Sequence, residues 1–298
     1  MKIAIVGAGG VGGFLAAMLS RAGEDVLLVA RGRNLEAIKR NGVCVEMGGS
    51  TLCGKPNAAE SAKEFADVAD VVLFCTKGYD LEAAARNAAP IVSDETLLIP
   101  LGNGVGNAQR VKNLYPNNPV ANGAIYIVSH LKEPGLVEVK GKGAYVVVGM
   151  DGELSSVLRK FGEAMEKAGI KVKISEDITT EVWKKFLLIS AMATLTSFYD
   201  EPMGAVVQKH SKELDEILHE ILAVGKAEGA KIDEGDVERV KEQLQKVPYD
   251  SPTSMWLDFK AKKETELEEL SGFVVKRAKL HGIKTPLMKR CYEELKKR

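Results

Sequence analysis

The chain opens Met1-Lys2-Ile3-Ala4-Ile5-Val6-Gly7-Ala8-Gly9-Gly10-Val11-Gly12-Gly13. An apolar run, Ile3–Val6, leads directly into G-x-G-x-x-G at Gly7, Gly9 and Gly12, and a helical pattern follows from Gly12 to Ala22. Each glycine has a job at that spacing. Gly7 permits a tight turn, Gly9 lets backbone approach a pyrophosphate, and Gly12 lets the helix pack closely on the strand. The helix N-terminus adds N–H donors and the positive end of a dipole. A flexible glycine loop would not need what comes next, a second apolar run, Val26–Ala30, at the distance a βαβ unit requires.

At the end of that second run, where NAD-preferring chains place a carboxylate for the ribose hydroxyls, stand Arg31-Gly32-Arg33. A carboxylate would repel a 2′-phosphate, whereas a guanidinium binds it through paired charge-assisted hydrogen bonds. The residues therefore favour NADPH/NADP+ as cofactor, with solvated loop arginines as the competing reading.

Working outward, further apolar runs at Val71–Cys75, Leu97–Leu101 and Ala144–Val148 read as strands, and Asn34–Asn41 as a helix. Strands alternating with helices imply a parallel sheet with right-handed crossovers. Between 119 and 148 the style changes. Val120–Val128, Gly135–Val139 and Ala144–Val148 follow one another across Pro134-Gly135 and Gly141, which suggests an antiparallel extension of that sheet. After Lys173 the pattern is helical, with Gly229 and Gly282 as stops and Pro248, Pro252 and Pro286 as breaks or starts. The expected fold class is α/β, an N-terminal Rossmann-type dinucleotide-binding domain (1–174) joined to a C-terminal all-helical domain (175–298). The helix starting near Asp177 would act as a hinge and one wall of an interdomain cleft, where ligand sites are common.

Composition narrows the function. The 298 residues carry 41 basic and 41 acidic side chains, with 45% hydrophobic and 28% charged residues. Such balance suits a soluble globular protein with a small-molecule partner, not one that wraps nucleic acid or docks on an anionic membrane. No apolar stretch nears the ~18–20 residues needed to span a bilayer, and no signal-peptide pattern precedes the first strand. Cys44, Cys53, Cys75 and Cys291 lack C-x-x-C spacing, two of them in or beside apolar runs, and a reducing cytoplasm is the simplest home. His130, His210, His219 and His281 show no metal-ligand spacing.

Two adjacent lysines separate by helical phase. Lys184 aligns with Asp177 and Glu181 and reads as solvated, whereas Lys185 aligns with Ile178, Val182 and Ile189. A lysine in an apolar seam lowers its pKa, finds a partner or faces a cavity, unless it snorkels from the edge. A lowered pKa suits a general acid. Glu266 flanks the stripe Leu267, Leu270, Val274 in what reads as the last long helix, where Glu264, Glu268 and Glu269 resemble surface charge. Periodicity alone does not single it out. Thr76-Lys77 and Asn103-Gly104-Val105-Gly106 stand at strand ends, where open parallel sheets bind ligands. Asn103 reads either as a left-handed turn residue or as an amide aimed at nicotinamide or substrate, and Ser254 as a helix N-cap or a substrate contact. Trp183 and Trp256 read as core.

Taken together the set resembles the ketopantoate reductase family (2-dehydropantoate 2-reductases). The resemblance runs nearly end to end. It rests on the glycine turn, Arg31, Thr76-Lys77, Asn103-Gly104-Val105-Gly106, Trp183-x-Lys185, Pro202-Met203-Gly204, Ser254-Met255-x-x-Asp258, and Glu266 followed by Gly272. It implies an NADP-dependent oxidoreductase reducing ketopantoate to (R)-pantoate in the pantothenate and coenzyme A pathway. Lys185 and Glu266 would be catalytic, and Asn103 and Ser254 would bind substrate. Cofactor contacts would come from Gly7, Ala8, Gly9, Gly10, Val11, Gly12, Arg31, Lys77, Asn103 and Glu266. The chain departs from many members at Ile189 and Ala193, where they carry asparagines that help hold the substrate. Another branched 2-oxo acid is therefore an alternative substrate, and a non-catalytic NADP(H)-binding sensor is a third reading. The oligomeric state is left open, with a homodimer as one form.

Overall fold

A computed structural model describes residues 1–150 and 155–298, except for the Lys142 side chain. The chain divides into two compact units, one of residues 1–102 and 107–178, the other of residues 103–106 and 179–298.

Among the described residues the first unit holds ten strands and five α-helices. In chain order these are β1 Lys2–Val6, α1 Gly10–Arg21, β2 Asp25–Val29, α2 Gly32–Asn41, β3 Val43–Met47, β4 Ser50–Gly54, β5 Asn57–Ala59, β6 Val71–Phe74, α3 Leu81–Asn87, β7 Leu97–Pro100, α4 Asn107–Leu114, β8 Asn122–Glu133, β9 Leu136–Gly149, α5 Ser156–Lys167 and β10 Lys171–Ile174. Five strands form a parallel sheet in the order β5-β2-β1-β6-β7. Both faces of this sheet are covered, so its strands read as unbroken apolar runs. Ile3 and Ile5 point into one core with α1 and α5, while Ala4 and Val6 point into the other with α3. Chain order reverses at β1, and open sheets bind ligands beyond the strand ends at such a point.

The segment 119–149 departs from the sequence reading. Its first residues make a single parallel bridge to β7, Val120 beside Leu98, and the rest builds a second five-stranded sheet, in which β9 pairs with β8, β3 and β10. Apart from Gly135, which lies in the turn before it, the runs Gly135–Val139 and Ala144–Val148 belong to one strand, β9. Gly141 and Gly143, both at positive φ, fall where the β8–β9 register shifts, and they bend the ladder without ending it. The β3–β4 hairpin turns on Gly48-Gly49, both at positive φ. Its register sets Cys44 opposite Cys53, with Cα atoms 4.1 Å apart, and a disulfide joins them. C-x-x-C spacing, the only pattern read from the sequence, does not pair them. Cys75 and Cys291 are free, and burial pushes each thiol up to about 12.

The second unit is helical: α6 Ile178–Tyr199, α7 Met203–Lys209, α8 Ser211–Ala227, α9 Glu234–Leu244, α10 Ser254–Lys260, α11 Ser271–Leu280 and α12 Pro286–Leu295. Gly229 and Gly282 take left-handed conformations just after α8 and α11, and Pro286 opens α12. Inside, Glu220 of α8 accepts the Leu287 and Met288 N–H groups at 2.9 and 2.8 Å, satisfying the start of α12. Gly204 lies where a Cβ would come within 2.4 Å of Tyr249 Cα, so its bare backbone lets the 249–251 segment close on α7. Among the described residues no helix is long and apolar enough to cross a membrane.

Candidate functional site

In the first unit the glycine turn has the geometry its sequence implies. Gly7 sits at φ +105°, and a Cβ on Gly12 would fall 1.8 Å from the Gly7 carbonyl oxygen, so α1 presses directly on the turn. A Cβ on Gly9 would meet nothing within 4 Å. That open side is room for a ligand's approach. α1 begins at Gly10, two residues earlier than the sequence suggested, and its first turn contains no acidic side chain. Asn34 braces the turn by donating to the Ala8 carbonyl and accepting the Gly135 N–H, each at 2.8 Å. Nothing in the sequence marked Asn34, because its partners lie 26 and 101 residues away.

Beside the turn lies a cavity of about 560 Å³. Ala62, Ala83, Ala84 and Ala88 give it small apolar walls, while Arg31, Asn34, Lys63 and Thr76 supply polar groups. Arg31 is exposed and serves as the extended N-cap residue of α2. The Thr76 hydroxyl is buried and has no hydrogen-bond partner among the described residues. Lys77, half-buried, introduces the short 3-10 turn Gly78–Asp80. These residues fit a phosphate-bearing dinucleotide: a helix N-terminus with no acid in its first turn, a bare Cα at Gly9, an orphaned hydroxyl and a guanidinium, although Glu60 and Asp80 also line the cavity.

In the second unit Lys185 and Asn103 come together across 82 residues, with Lys185 Nζ donating to Asn103 Oδ1 at 3.1 Å. Asn103 keeps an ordinary negative φ, and Gly104, at φ +110°, supplies the left-handed turn. Gly106 carries the segment past Phe273, where a Cβ would sit 2.8 Å from the ring. Phe273 in turn packs with Trp183 and Phe186 of α6, which fixes the helix that bears Lys185. Lys185 is half-buried, and desolvation lowers its pKa to about 8, against the opposing pull of the Glu266 charge.

Glu266 is buried, at 3% exposure, but not on a helix. It lies in the turn ahead of α11, where its carbonyl accepts the Leu270 N–H at 3.1 Å. Its neighbours are less exposed than expected: Glu268 is half-buried, accepting from Tyr292 and Lys276, and Glu269 is half-buried as well. Ser254 is exposed as the first residue of α10, and Thr253 is the N-cap, accepting the Trp256 N–H. Thr253 also shares a 2.7 Å hydroxyl contact with Thr196, tying the start of α10 to α6. Ile189 is half-buried and Ala193 buried on α6.

Residues 3–152 match the family described as ketopantoate reductase PanE/ApbA, and residues 177–298 match its C-terminal counterpart. The chain belongs to the ketopantoate reductase family. Among similar proteins, the 2-dehydropantoate 2-reductase of Pyrococcus horikoshii is 30% identical, over 96% of this chain and 94% of that one. A protein of Bacillus subtilis named uncharacterized oxidoreductase YkpB is 28% identical, over 99% and 98%. The crystal structure of a PanE/ApbA family ketopantoate reductase from Ralstonia eutropha superposes with a TM-score of 0.91 at 28% identity, covering 99% of this chain and 97% of that one. As a ketopantoate reductase family member the chain is an oxidoreductase of a family that uses a nicotinamide cofactor, with a Rossmann-type N-terminal domain and a helical C-terminal one.

Proposed function

We propose that this chain reduces ketopantoate to (R)-pantoate with NADPH, a step of pantothenate and coenzyme A biosynthesis, in the cytoplasm. The observation that carries the reading is Lys185, an ammonium with its pKa lowered to about 8 and hydrogen-bonded to Asn103. A proton donor works best with a pKa near the operating pH.

On this reading residues 1–174 bind the cofactor and residues 175–298 carry the catalytic lysine. Gly7, Ala8, Gly9, Gly10, Val11 and Gly12 hold the pyrophosphate, Arg31 the 2′-phosphate, and Thr76 and Lys77 the ribose side. NADPH, when bound, supplies the hydride that reduces the keto carbon. As negative charge grows on the carbonyl oxygen, Lys185 stabilises it and gives up a proton from Nζ. Asn103 fixes the direction of the ammonium through Oδ1. Glu266 opposes the desolvation of Lys185 and keeps it protonated at neutral pH. Asn103 and Ser254 hold the substrate's carbonyl and carboxylate.

Ile189 and Ala193, one and two turns along α6 from Lys185, favour a second reading, reduction of another branched 2-oxo acid. An asparagine's hydrogen bonds are lost at both positions, and a site built around such bonds discriminates strongly by them. Steady-state oxidation of NADPH with ketopantoate, repeated with NADH and with a panel of branched 2-oxo acids, tests the choice. The expected result is turnover with ketopantoate and a preference for NADPH. Turnover confined to another 2-oxo acid would move the assignment to the second reading. Tight NADPH binding with no oxidation by any 2-oxo acid would leave a sensor.

A further inference from the structure

The cavity beside the glycine turn has a second cation at its rim that the family resemblance does not assign. Strands β2 and β5 are hydrogen-bonded neighbours, Val29 opposite Ala59, and the Ala30 N–H donates to the Ala59 carbonyl at 3.0 Å. The chain leaves both strands at the same sheet end. Arg31 follows one strand directly, and Glu60-Ser61-Ala62-Lys63 follows the other, so the two loops share one cavity.

The second loop is not slack. Ser61 and Glu64 form a capping box around the 3-10 turn Ala62–Glu64: the Ser61 hydroxyl accepts the Lys63 N–H at 3.3 Å, and Glu64 Oε1 accepts the Glu60 and Ser61 N–H groups at 3.0 and 2.9 Å. This has two consequences. The backbone that carries Lys63 is held in place, and the nearest carboxylate in the chain is turned back on its own main chain. Neither Arg31 nor Lys63 has an ion-pair partner among the described residues, although Glu60 and Asp80 also line the cavity. Two cations held in no such ion pair, on adjacent loops above an alanine-walled slot, suit an adenosine bearing a second anionic group.

We propose that Lys63 is a specificity-determining residue that shares the adenosine 2′-phosphate with Arg31, while Ala62, Ala83, Ala84 and Ala88 flank the adenine ring. The inference deepens the cofactor reading and rests on it. Arg31 offers a planar fork for two oxygens, and Lys63, a mobile point charge on a fixed turn, takes the remaining one. Glu60 sets the counterpoise, since its carboxylate on the same loop repels the phosphate and leaves discrimination dependent on both cations.

Calorimetric titration with two fragments, 2′,5′-ADP and 5′-AMP, tests this without turnover. Wild-type protein should bind 2′,5′-ADP more tightly. Lys63→Met should weaken 2′,5′-ADP by about fivefold, the scale of an exposed charge-assisted contact, and leave 5′-AMP unchanged. Lys63→Arg should retain most of the preference. Because Lys63 is exposed, these changes leave the core untouched. If Lys63→Met binds 2′,5′-ADP as wild type does while Arg31→Met loses the preference, Lys63 has no such role and the cofactor reading stands. If wild type binds the two fragments equally, both the role and the NADPH preference fail.

Discussion

The two units build their sites in opposite ways. In the first, the glycine turn is a backbone device packed into six consecutive positions, and its fit depends on where side chains are missing: open space at Gly9, direct contact at Gly12. In the second, Lys185, Asn103 and Glu266 are side chains from three distant stretches, two of them in turns, and what matters is the charge each feels. A compact backbone motif is readable from residue order. A cluster assembled by packing is readable only through its local anomalies, here a lysine in an apolar seam.

The contrast can be broken by substitution. Lys185→Ala should lower kcat by about a hundredfold or more, while Lys184→Ala on the same turn of α6 should change it less than about twofold. Equal effects would mean that helical phase does not separate the two lysines. Gly12→Ala should destabilise the first unit by about 2–3 kcal/mol, because the new methyl meets the Gly7 carbonyl. Gly9→Ala should leave the melting temperature nearly unchanged and weaken dinucleotide binding instead. Thermal melts and cofactor titration of the pair separate packing from ligand approach. Glu220→Ala should cost about 2 kcal/mol in the second unit, since it strands the Leu287 and Met288 N–H groups at the start of α12. Denaturant titration measures it, with unchanged stability as the contrary result.

Burial of Lys185 also sets a pH dependence of stability. Its folded pKa, about 8, lies below the ordinary 10.5, so the unfolded chain holds the proton more tightly across that interval. Stability from this group therefore rises with pH between the two values and is lost as pH falls through the folded one. Lys185→Met should abolish that slope, as denaturant titration between about pH 8 and 10.5 would measure.

Much of the first unit was legible because a parallel sheet buried on both faces writes its strands as continuous apolar runs. Val71–Phe74 and Leu97–Pro100 are examples. The second sheet was not, because β9 carries Gly141 and Gly143 at a bend that reads in sequence as a turn. The Gly48-Gly49 hairpin did carry a readable signal, two adjacent glycines between alternating residues, and with it came the Cys44–Cys53 pair. The Ser61-x-x-Glu64 capping box was equally readable. Glu266 was out of reach of periodicity for a physical reason: it is not helical, so the phase argument applied to it had no axis to refer to. Asn34 and the Thr76 hydroxyl matter through contacts or gaps that exist only once distant segments meet.

The pH profile of kcat for ketopantoate reduction tests the role of Lys185 most directly, measured on the wild type and on Glu266→Gln. Turnover should hold through neutral pH and fall as Lys185 loses its proton near about 8, and Glu266→Gln should shift that fall to lower pH by removing the charge that supports the ammonium. A rate that stays level to about pH 10, or an inflection that Glu266→Gln moves upward, would contradict a lysine proton donor held by that carboxylate.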